Sequence, residues 1–486
     1  MTRARLLSKC QVLIVGAGPG GLVAGITLAG YGIEVLVIDR RHDLSGLSRS
    51  LVISTRGMEL MRRFGIEREV REGAADVAIR AWITAALSSD NGREAPLGYP
   101  SDEEAAQVSP SRPAWVAQDH HEPVLVERLR RQPTAALRFD CELLEVVQDG
   151  AAVRAVVRDL ATGAVEHLQA SYLIAADGAH STVREQLGIR MVGPDNLADY
   201  ERVEFTAPLW PLVRERRYGL YVITRPDAAG VLTPRGAGDR WGMSRETPVG
   251  APSLLDLDER ELTTLIQRAA GSDMMRPRIE RVSAFTFAAQ LADRYQSGRC
   301  FLVGDAAHRM TPRGGTGMNT AIQDAFDLGW KLAWVVRRWA TPELLSTFEK
   351  ERRPVAAHNV ERAGAQDGAQ RATDDALPWD LGGRIPHHWM DTGQGRVSTL
   401  DLIGDRLTLL TGSADPRWAR AADQMSTTAP VDVQTLDRDA ASALDLSTNG
   451  ALLARPDGNE VRRWTHFVGD QSLVPGSPDV TPHQLA

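Results

Sequence analysis

The stretch VLIVGAGPGGL, residues 12–22, decides how this chain folds. Residues 12–15 are four consecutive apolar side chains of strand type, and the run stops directly at Gly16, Gly18 and Gly21, in GxGxxG spacing. A strand that ends this way turns tightly into a helix. Gly16 permits the turn, Gly18 lets a pyrophosphate approach the backbone with no Cβ in the way, and Gly21 lets the helix pack closely on the strand. The helix is expected over about 20–29, with its N–H groups and positive dipole end directed at the phosphates. A second apolar run, 35–38, ends in Asp39 and Arg40. Asp39 falls at roughly the 20-residue offset where an acid accepts ribose hydroxyls, and Arg40 is a second candidate contact beside it. This pattern opens a doubly wound α/β domain that binds a dinucleotide, without deciding which one.

Two later segments repeat the grammar: YLIAADGAHSTVR (172–184) and CFLVGDAAHRMTPRGGTGMNTAIQDAFDLGWKLA (300–333). Residues 172–176 and 301–303 read as strands, and each is followed by an acid, Asp177 and Asp305, at the strand end where doubly wound sheets bind ligands. Asp177-Gly178 alone reads equally well as a turn. Asp305 is placed to accept hydrogen bonds from a polyol. Pro312 stiffens the next loop. Gly314, Gly315 and Gly317 leave N–H groups bare at the start of a helix expected over about 318–337, a position that favours negative charge.

The third segment resembles the GDAAH…P.GG.G.N segment of the group A flavoprotein aromatic monooxygenases, the para-hydroxybenzoate hydroxylase fold, and residues 172–184 resemble that family's DG motif. Phenol hydroxylases and aromatic polyketide hydroxylases are the most similar branches, and the resemblance runs from about residue 10 to about residue 464. It implies FAD as cofactor, contacted by Gly16, Gly18, Gly21, Asp39, Arg40, Arg49, Gln118, Gly317, Met318 and Asn319, with Asp305 on the ribitol. It also implies that Asp177, braced by Arg184, supports the pyrophosphate region and NAD(P)H use, and that Pro312, Gly314 and Gly315 face the reactive ring and favour its anionic reduced form. The reaction implied is flavin reduction by NADH or NADPH, addition of molecular oxygen at C4a, and transfer of OH from the hydroperoxide to a phenolic or aromatic polyketide-type substrate. Only one GxGxxG stands in strand–turn–helix context, which fits a family whose nicotinamide cofactor binds transiently. The substrate phenol needs a positioned base or hydrogen-bond acceptor. Same-fold alternatives are an epoxidase, a Baeyer–Villiger or antibiotic-inactivating monooxygenase, and a non-catalytic flavin-binding protein; intact Asp305 and Gly314 to Gly317 argue against the last. Ala321 and Phe326-Asp327 stand where relatives commonly carry Gly and His-Asn.

Placing the three segments on one domain requires the chain to leave and return. Residues 1–74, 113–190 and 291–375 are expected to form the FAD-binding domain, 75–112 with 191–290 an inserted sheet-containing substrate domain, and 385–486 a C-terminal thioredoxin-like domain. Strand signals at 217–224 and 283–289 belong to the insert. There, Tyr218, Tyr221, Arg225 and Trp241 either line an aromatic pocket or pack within the sheet, the commoner use of aromatics. The C-terminal segment contains no cysteine, which excludes a dithiol redox role for it.

The remaining composition narrows the classes. A length of 486 residues suggests two or three domains. A net charge of −7 argues against a nucleic-acid partner. No apolar run reaches membrane-spanning length, Lys331 interrupting 328–336. The basic N-terminal stretch 1–9 leads straight into a strand with no signal-peptide core, so cytoplasmic residence is expected. Cys10, Cys141 and Cys300 are widely spaced, and the pairs His120-His121 and His387-His388 make poor chelates, so no metal is expected. The oligomeric state is left open.

Overall fold

The structure, a computed structural model, describes residues 8–46, 49–247, 252–393, 395–426 and 429–467. The N-terminal basic residues 1–7 and the end of the expected C-terminal domain, 468–486, lie outside the described residues.

The main sheet carries five parallel strands in the order Cys300–Leu302, Val165–Ala175, Lys9–Val15, Val35–Ile38 and Ala135–Arg138. Both faces are covered, so the strands read as continuous apolar runs; Val12, Ile14, Val35, Leu173, Ile174 and Phe301 are all fully buried. The glycine turn leads into the helix Pro19–Gly30, which packs against the long helix Gly317–Val336. An antiparallel pair, Cys141–Gln148 and Val153–Asp159, extends the sheet from Val165–Ala175. The three thiols lie buried in or beside these strands, and burial pushes Cys10 and Cys300 up to about 12.

A second sheet has seven strands, in the order Arg278–Phe287, Ala198–Thr206, Arg240–Glu246, Gly230–Pro234, Tyr218–Ile223, Ala78–Thr84 and Gly92–Pro96. Its alternation separates two faces. One packs Val203, Phe205, Tyr221, Leu232, Trp241 and Met243 with Leu262, Ile266 and Ala269 of the helix Glu259–Ala270. The other contributes Ala81, Ala95 and Leu97 to a cluster with Val52, Tyr99 and Trp115.

The C-terminal unit has a four-stranded sheet in the order Val431–Thr435, Leu407–Thr411, Ala451–Ala454 and Glu460–Trp464, with the first two parallel and the rest antiparallel. The helix Pro416–Met425 makes the parallel crossover, giving the thioredoxin-like strand order. The pairing of Ala451–Ala454 with Glu460–Trp464 shifts register between Leu453 and Ala454, and Trp464 pairs with Ala451.

A buried ionic seam fixes this unit to the main domain. Lys331, fully buried, reaches Asp327 at 2.7 Å and Glu351 at 2.9 Å, and Arg455 pairs with Glu351 at 2.9 Å and Asp457 at 2.5 Å. Asp327, Glu351 and Asp457 lie close enough together to suggest a cation site, and the two basic side chains already serve as their counter-ions. Glu59 and Arg384 form a second buried link at 2.6 Å.

Candidate functional site

The three motif strands are immediate neighbours, and their carboxyl ends line up. Val15 pairs with Ala175 and Ala175 with Leu302, so Gly16, Asp177 and Gly304 emerge along one edge. Backbone bonds carry the alignment past the strands, from Ala176 N–H to Val15 O at 2.8 Å and from Val303 N–H to Ala175 O at 2.9 Å.

Each motif glycine meets a different environment. Gly16 has φ +107°, and a Cβ there would lie 2.2 Å from the Ala176 carbonyl oxygen. At Gly21 a Cβ would lie 1.9 Å from the Gly16 oxygen, so the helix sits on the turn at a distance only glycine allows. At Gly18 a Cβ would meet nothing within 4 Å. Turn and packing therefore account for two glycines, while the third opens onto the cleft where a diphosphate would pass.

Asp39 closes one end of this cleft. Its Oδ2 accepts the Ala17 N–H at 2.8 Å, and its carboxylate takes two bonds from the Arg41 guanidinium at 2.8 and 2.9 Å. Burial raises this carboxyl, but Arg41 and the two backbone donors outweigh it and hold it below its ordinary value. Arg41, not Arg40, is the partner; Arg40 points outward and is exposed.

Asp305 lies in a single 3-10 turn after Cys300–Leu302, its side chain open to the cleft while the surrounding protein crowds out bulk solvent. This desolvation raises its carboxyl, against the opposing pull of His308, Arg49 and Arg309. Arg49, exposed to solvent, therefore lies within electrostatic reach of Asp305. Gln118 begins the helix Gln118–Arg130; its backbone N–H donates to Ser50 O and its amide to Glu122 at 2.7 Å. Asp177 turns to the helix start beside it, accepting Ser181 Oγ at 2.5 Å and the Val183 N–H at 3.2 Å. Arg184 lies close enough to act on the Asp177 carboxyl, and it also donates to Ala179 O and Ala306 O, tying the second motif loop to the third.

The loop containing Pro312, Gly314 and Gly315 is held from behind. Both glycines are left-handed, at φ +78° and +64°. Tyr99 Oη lies 3.1 Å from each of their carbonyls, Arg371 donates to Gly314 O at 2.6 Å, and Asn319 donates to Gly315 O at 2.9 Å. A Cβ at Gly314 would lie 2.8 Å from the Arg371 guanidinium, and one at Gly315 would lie 2.7 Å from Val52. The expectation of a bare N–H at Gly315 is corrected, because that group donates to Pro312 O at 3.1 Å and closes the turn. The helix Gly317–Val336 has no side-chain cap, so the N–H groups of its first turn, including Gly317, Met318 and Asn319, supply the positive helix end. The Asn319 side chain is engaged in the scaffold, accepting Ser54 N–H and donating to Val52 O and Gly315 O.

The structure does not bring the four candidate substrate residues to this cleft. Tyr221 and Trp241 are buried in the core on the helix-covered face of the second sheet, and the Tyr221 hydroxyl donates to Arg216 O at 2.8 Å. Tyr218 stacks on Trp82 and bonds Glu94, and Arg225 pairs with Asp227 on the surface. Their alternative reading, sheet packing, is the arrangement found. The face that meets the glycine loop is the Ala81, Ala95, Leu97, Val52, Trp115 and Tyr99 cluster, touching it through Val52 and Tyr99. Tyr99 and Arg371 were missed because no local pattern marks them; each acts on a loop more than fifty residues away in sequence, at separations of 215 and 57.

A glycine turn open only at Gly18, an acid at the second strand end, Asp305 in the turn after the third motif strand and an uncapped helix behind a buttressed loop are the features of a FAD-binding flavoprotein. The sequence profile of the FAD binding domain family matches residues 9–363, and that of the aromatic-ring hydroxylase C-terminal domain matches 379–461. The chain belongs to the FAD-dependent aromatic-ring monooxygenases. Tetracenomycin A2 monooxygenase-dioxygenase of Streptomyces glaucescens is 32% identical to it, spanning 93% of this chain and 92% of that one. Tetracenomycin B2 monooxygenase-dioxygenase of Streptomyces olivaceus is 33% identical, over 96% and 97%. The crystal structure of a ternary complex of aklavinone-11 hydroxylase with FAD and aklavinone superposes with a TM-score of 0.85 at 29% identity, covering 96% of this chain and 97% of that chain.

Proposed function

We propose that this monooxygenase hydroxylates a phenolic or aromatic polyketide-type substrate, using NADH or NADPH and molecular oxygen, in the cytoplasm. Among the described residues no helix is long and apolar enough to cross a membrane. The observation that carries the reading is the junction of the buttressed glycine loop with the apolar cluster of the second sheet, which meets the loop through Val52 and Tyr99. FAD, when bound, supplies the activation of dioxygen and the transfer of one oxygen atom to the ring. The chain's own residues do the rest. Asp39, Asp305, Arg49 and Gln118 orient the cofactor along the strand ends. The helix end behind Gly314 and Gly315 stabilises negative charge on the reduced ring, and the apolar cluster excludes water. The tetracenomycin and aklavinone enzymes it resembles support a fused polycyclic substrate. The positions of the three sheets support assigning 1–74, 113–190 and 291–375 to the FAD unit, 75–112 with 191–290 to the substrate unit, and 385–486 to the C-terminal unit.

The test is NADH and NADPH oxidation by the FAD-loaded protein against a panel of simple phenols and fused-ring polyketides. A fused-ring ligand is expected to accelerate oxidation and to gain one oxygen. Stimulation by simple phenols alone would overturn the polyketide assignment, and a product bearing an inserted ring oxygen would favour the Baeyer–Villiger alternative.

A further inference from the structure

The face of the second sheet turned away from the helix Glu259–Ala270 meets the glycine loop at both of its edges. At one edge Tyr99 and Val52 touch Gly314 and Gly315. At the other, the Arg313 guanidinium lies 5.7 Å from the centre of the Phe287 ring and donates to Ala365 O at 3.0 Å. A third contact ties the same face to the FAD domain, where Arg235 bridges Glu204 at 3.1 Å and Asp119, next to Gln118, at 3.4 Å. Between these ties the strands are covered on one side only. Tyr221, Leu232 and Met243 are fully buried on the helix-covered face, while Leu220, Val222, Val231 and Ser244 on the opposite face are half-exposed.

Towards the Arg313 edge this face becomes aromatic. Tyr200 lies an odd step from the helix-facing Val203 and pairs with Phe285, which puts both rings on the side of the loop. Tyr200 stacks on Phe287, with centroids 4.0 Å apart and planes 10° from parallel, and lies 6.1 Å from Phe285 at 27°. Exposure rises along the row, from 4% at Phe287 through half-buried Tyr200 to 37% at Phe285. Phe285 is the only Phe, Tyr or Trp of the chain that is exposed. A stacked row of rings thus runs from the glycine loop out to an uncovered aromatic surface.

We propose that Tyr200 and Phe285 are specificity-determining residues, a stacking subsite for the rings of the substrate remote from the one hydroxylated at the glycine loop. The subsite is continuous with the loop through Phe287 and Arg313. A single phenol ring seated at the loop is confined to it. A fused polycycle is rigid and flat, so with one ring at the loop its remaining rings are carried along the same face, where Tyr200 and Phe285 offer π surface without charge. Offset or edge contacts between such rings add to plain apolar burial, and covering Phe285 removes its ring from water.

The inference rests on the fused-ring reading above, and the experiment keeps the two apart. The FAD-loaded full-length chain is titrated calorimetrically with alizarin, a fused-ring dihydroxyanthraquinone, and with resorcinol, a single dihydroxylated ring. Phe285→Ala is expected to weaken alizarin about three- to tenfold and to leave resorcinol within about twofold of wild type. Phe285→Tyr, which keeps a ring at the position, restores alizarin binding. Tyr200→Ala gives the same loss, and Tyr200→Phe, which keeps the stack on Phe287, restores it. Wild-type alizarin affinity in Phe285→Ala overturns the proposal, as does a wild type that holds alizarin no more tightly than resorcinol. Equal losses for both ligands also overturn it, because they report a general change in the site. A raised KM for NADPH with unchanged alizarin affinity overturns it in favour of the nicotinamide ring. Alizarin binding that depends on Phe285, with no fused-ring ligand stimulating NADPH oxidation, would sustain the subsite and refute the hydroxylation of a fused-ring substrate.

Discussion

Replacing Gly18 by alanine separates cofactor approach from folding. Gly18 has φ −80° and ψ −179°, an extended conformation that any residue adopts, and a Cβ there meets no protein atom within 4 Å. The flavin-free protein should therefore lose nothing, and the less flexible unfolded chain should gain it about 0.4–1 kcal/mol. If the diphosphate passes Gly18, the added methyl stands in its path. Displacing one charge-assisted hydrogen bond costs about 1.5–3 kcal/mol, a loss of about 10- to 150-fold in FAD affinity. FAD titration by flavin fluorescence, beside a thermal melt of the flavin-free protein, reads both quantities. A variant that melts at or above wild type and binds FAD with wild-type affinity would refute the placement of the diphosphate.

Gly16→Ala should behave oppositely, because φ +107° and a Cβ 2.2 Å from the Ala176 carbonyl prevent the first strand from meeting its neighbour; insoluble expression is expected, and a stable, soluble variant would contradict the geometry. Asp305→Ala should lower FAD retention on dialysis, and purification at full flavin occupancy would remove its role. A bulky residue at Gly314 or Gly315, such as Gly315→Val, should displace the loop against Val52 and Tyr99 and slow flavin reduction in stopped-flow traces. Lys331→Met leaves the buried Asp327 and Glu351 carboxylates without their shared cation and should cost about 3–5 kcal/mol in urea unfolding. His121 is fully buried, with neither ring nitrogen hydrogen-bonded, and burial depresses its pKa to about 3. Because the unfolded chain takes up the proton near pH 6.5 and the folded one does not, this residue lowers stability as pH falls below 6.5. The slope is about 1.4 kcal/mol per pH unit, near 2 kcal/mol by pH 5, and His121→Leu should flatten it.

What the sequence made readable, and what it hid, divides along physical lines. The parallel strands announce themselves because burial on both faces makes them unbroken apolar runs, and residues 35–38 are observed as the strand Val35–Ile38. The helix expected at 318–337 is found as Gly317–Val336, since its glycine entry is local. Side-chain partners across the fold were not readable in that way. Arg41 rather than its neighbour Arg40 turns onto Asp39, and only the course of the loop decides between them. Tyr218, Tyr221 and Trp241 lie on the strands Tyr218–Ile223 and Arg240–Glu246 of a sheet whose two faces are both apolar, so periodicity alone did not tell the side that meets the glycine loop from the helix-covered one. Asp327, which departs from the family's usual residue, becomes intelligible only when Lys331, Glu351 and Arg455 are seen around it.

Delivery of one atom of dioxygen to an aromatic ring is read by turnover of the FAD-loaded protein with NADPH or NADH under isotopically labelled dioxygen, followed by mass spectrometry of the fused-ring product. Incorporation of one labelled oxygen atom is the result expected. Oxidation of the nicotinamide cofactor with release of hydrogen peroxide and no labelled product, across the whole panel, would contradict it.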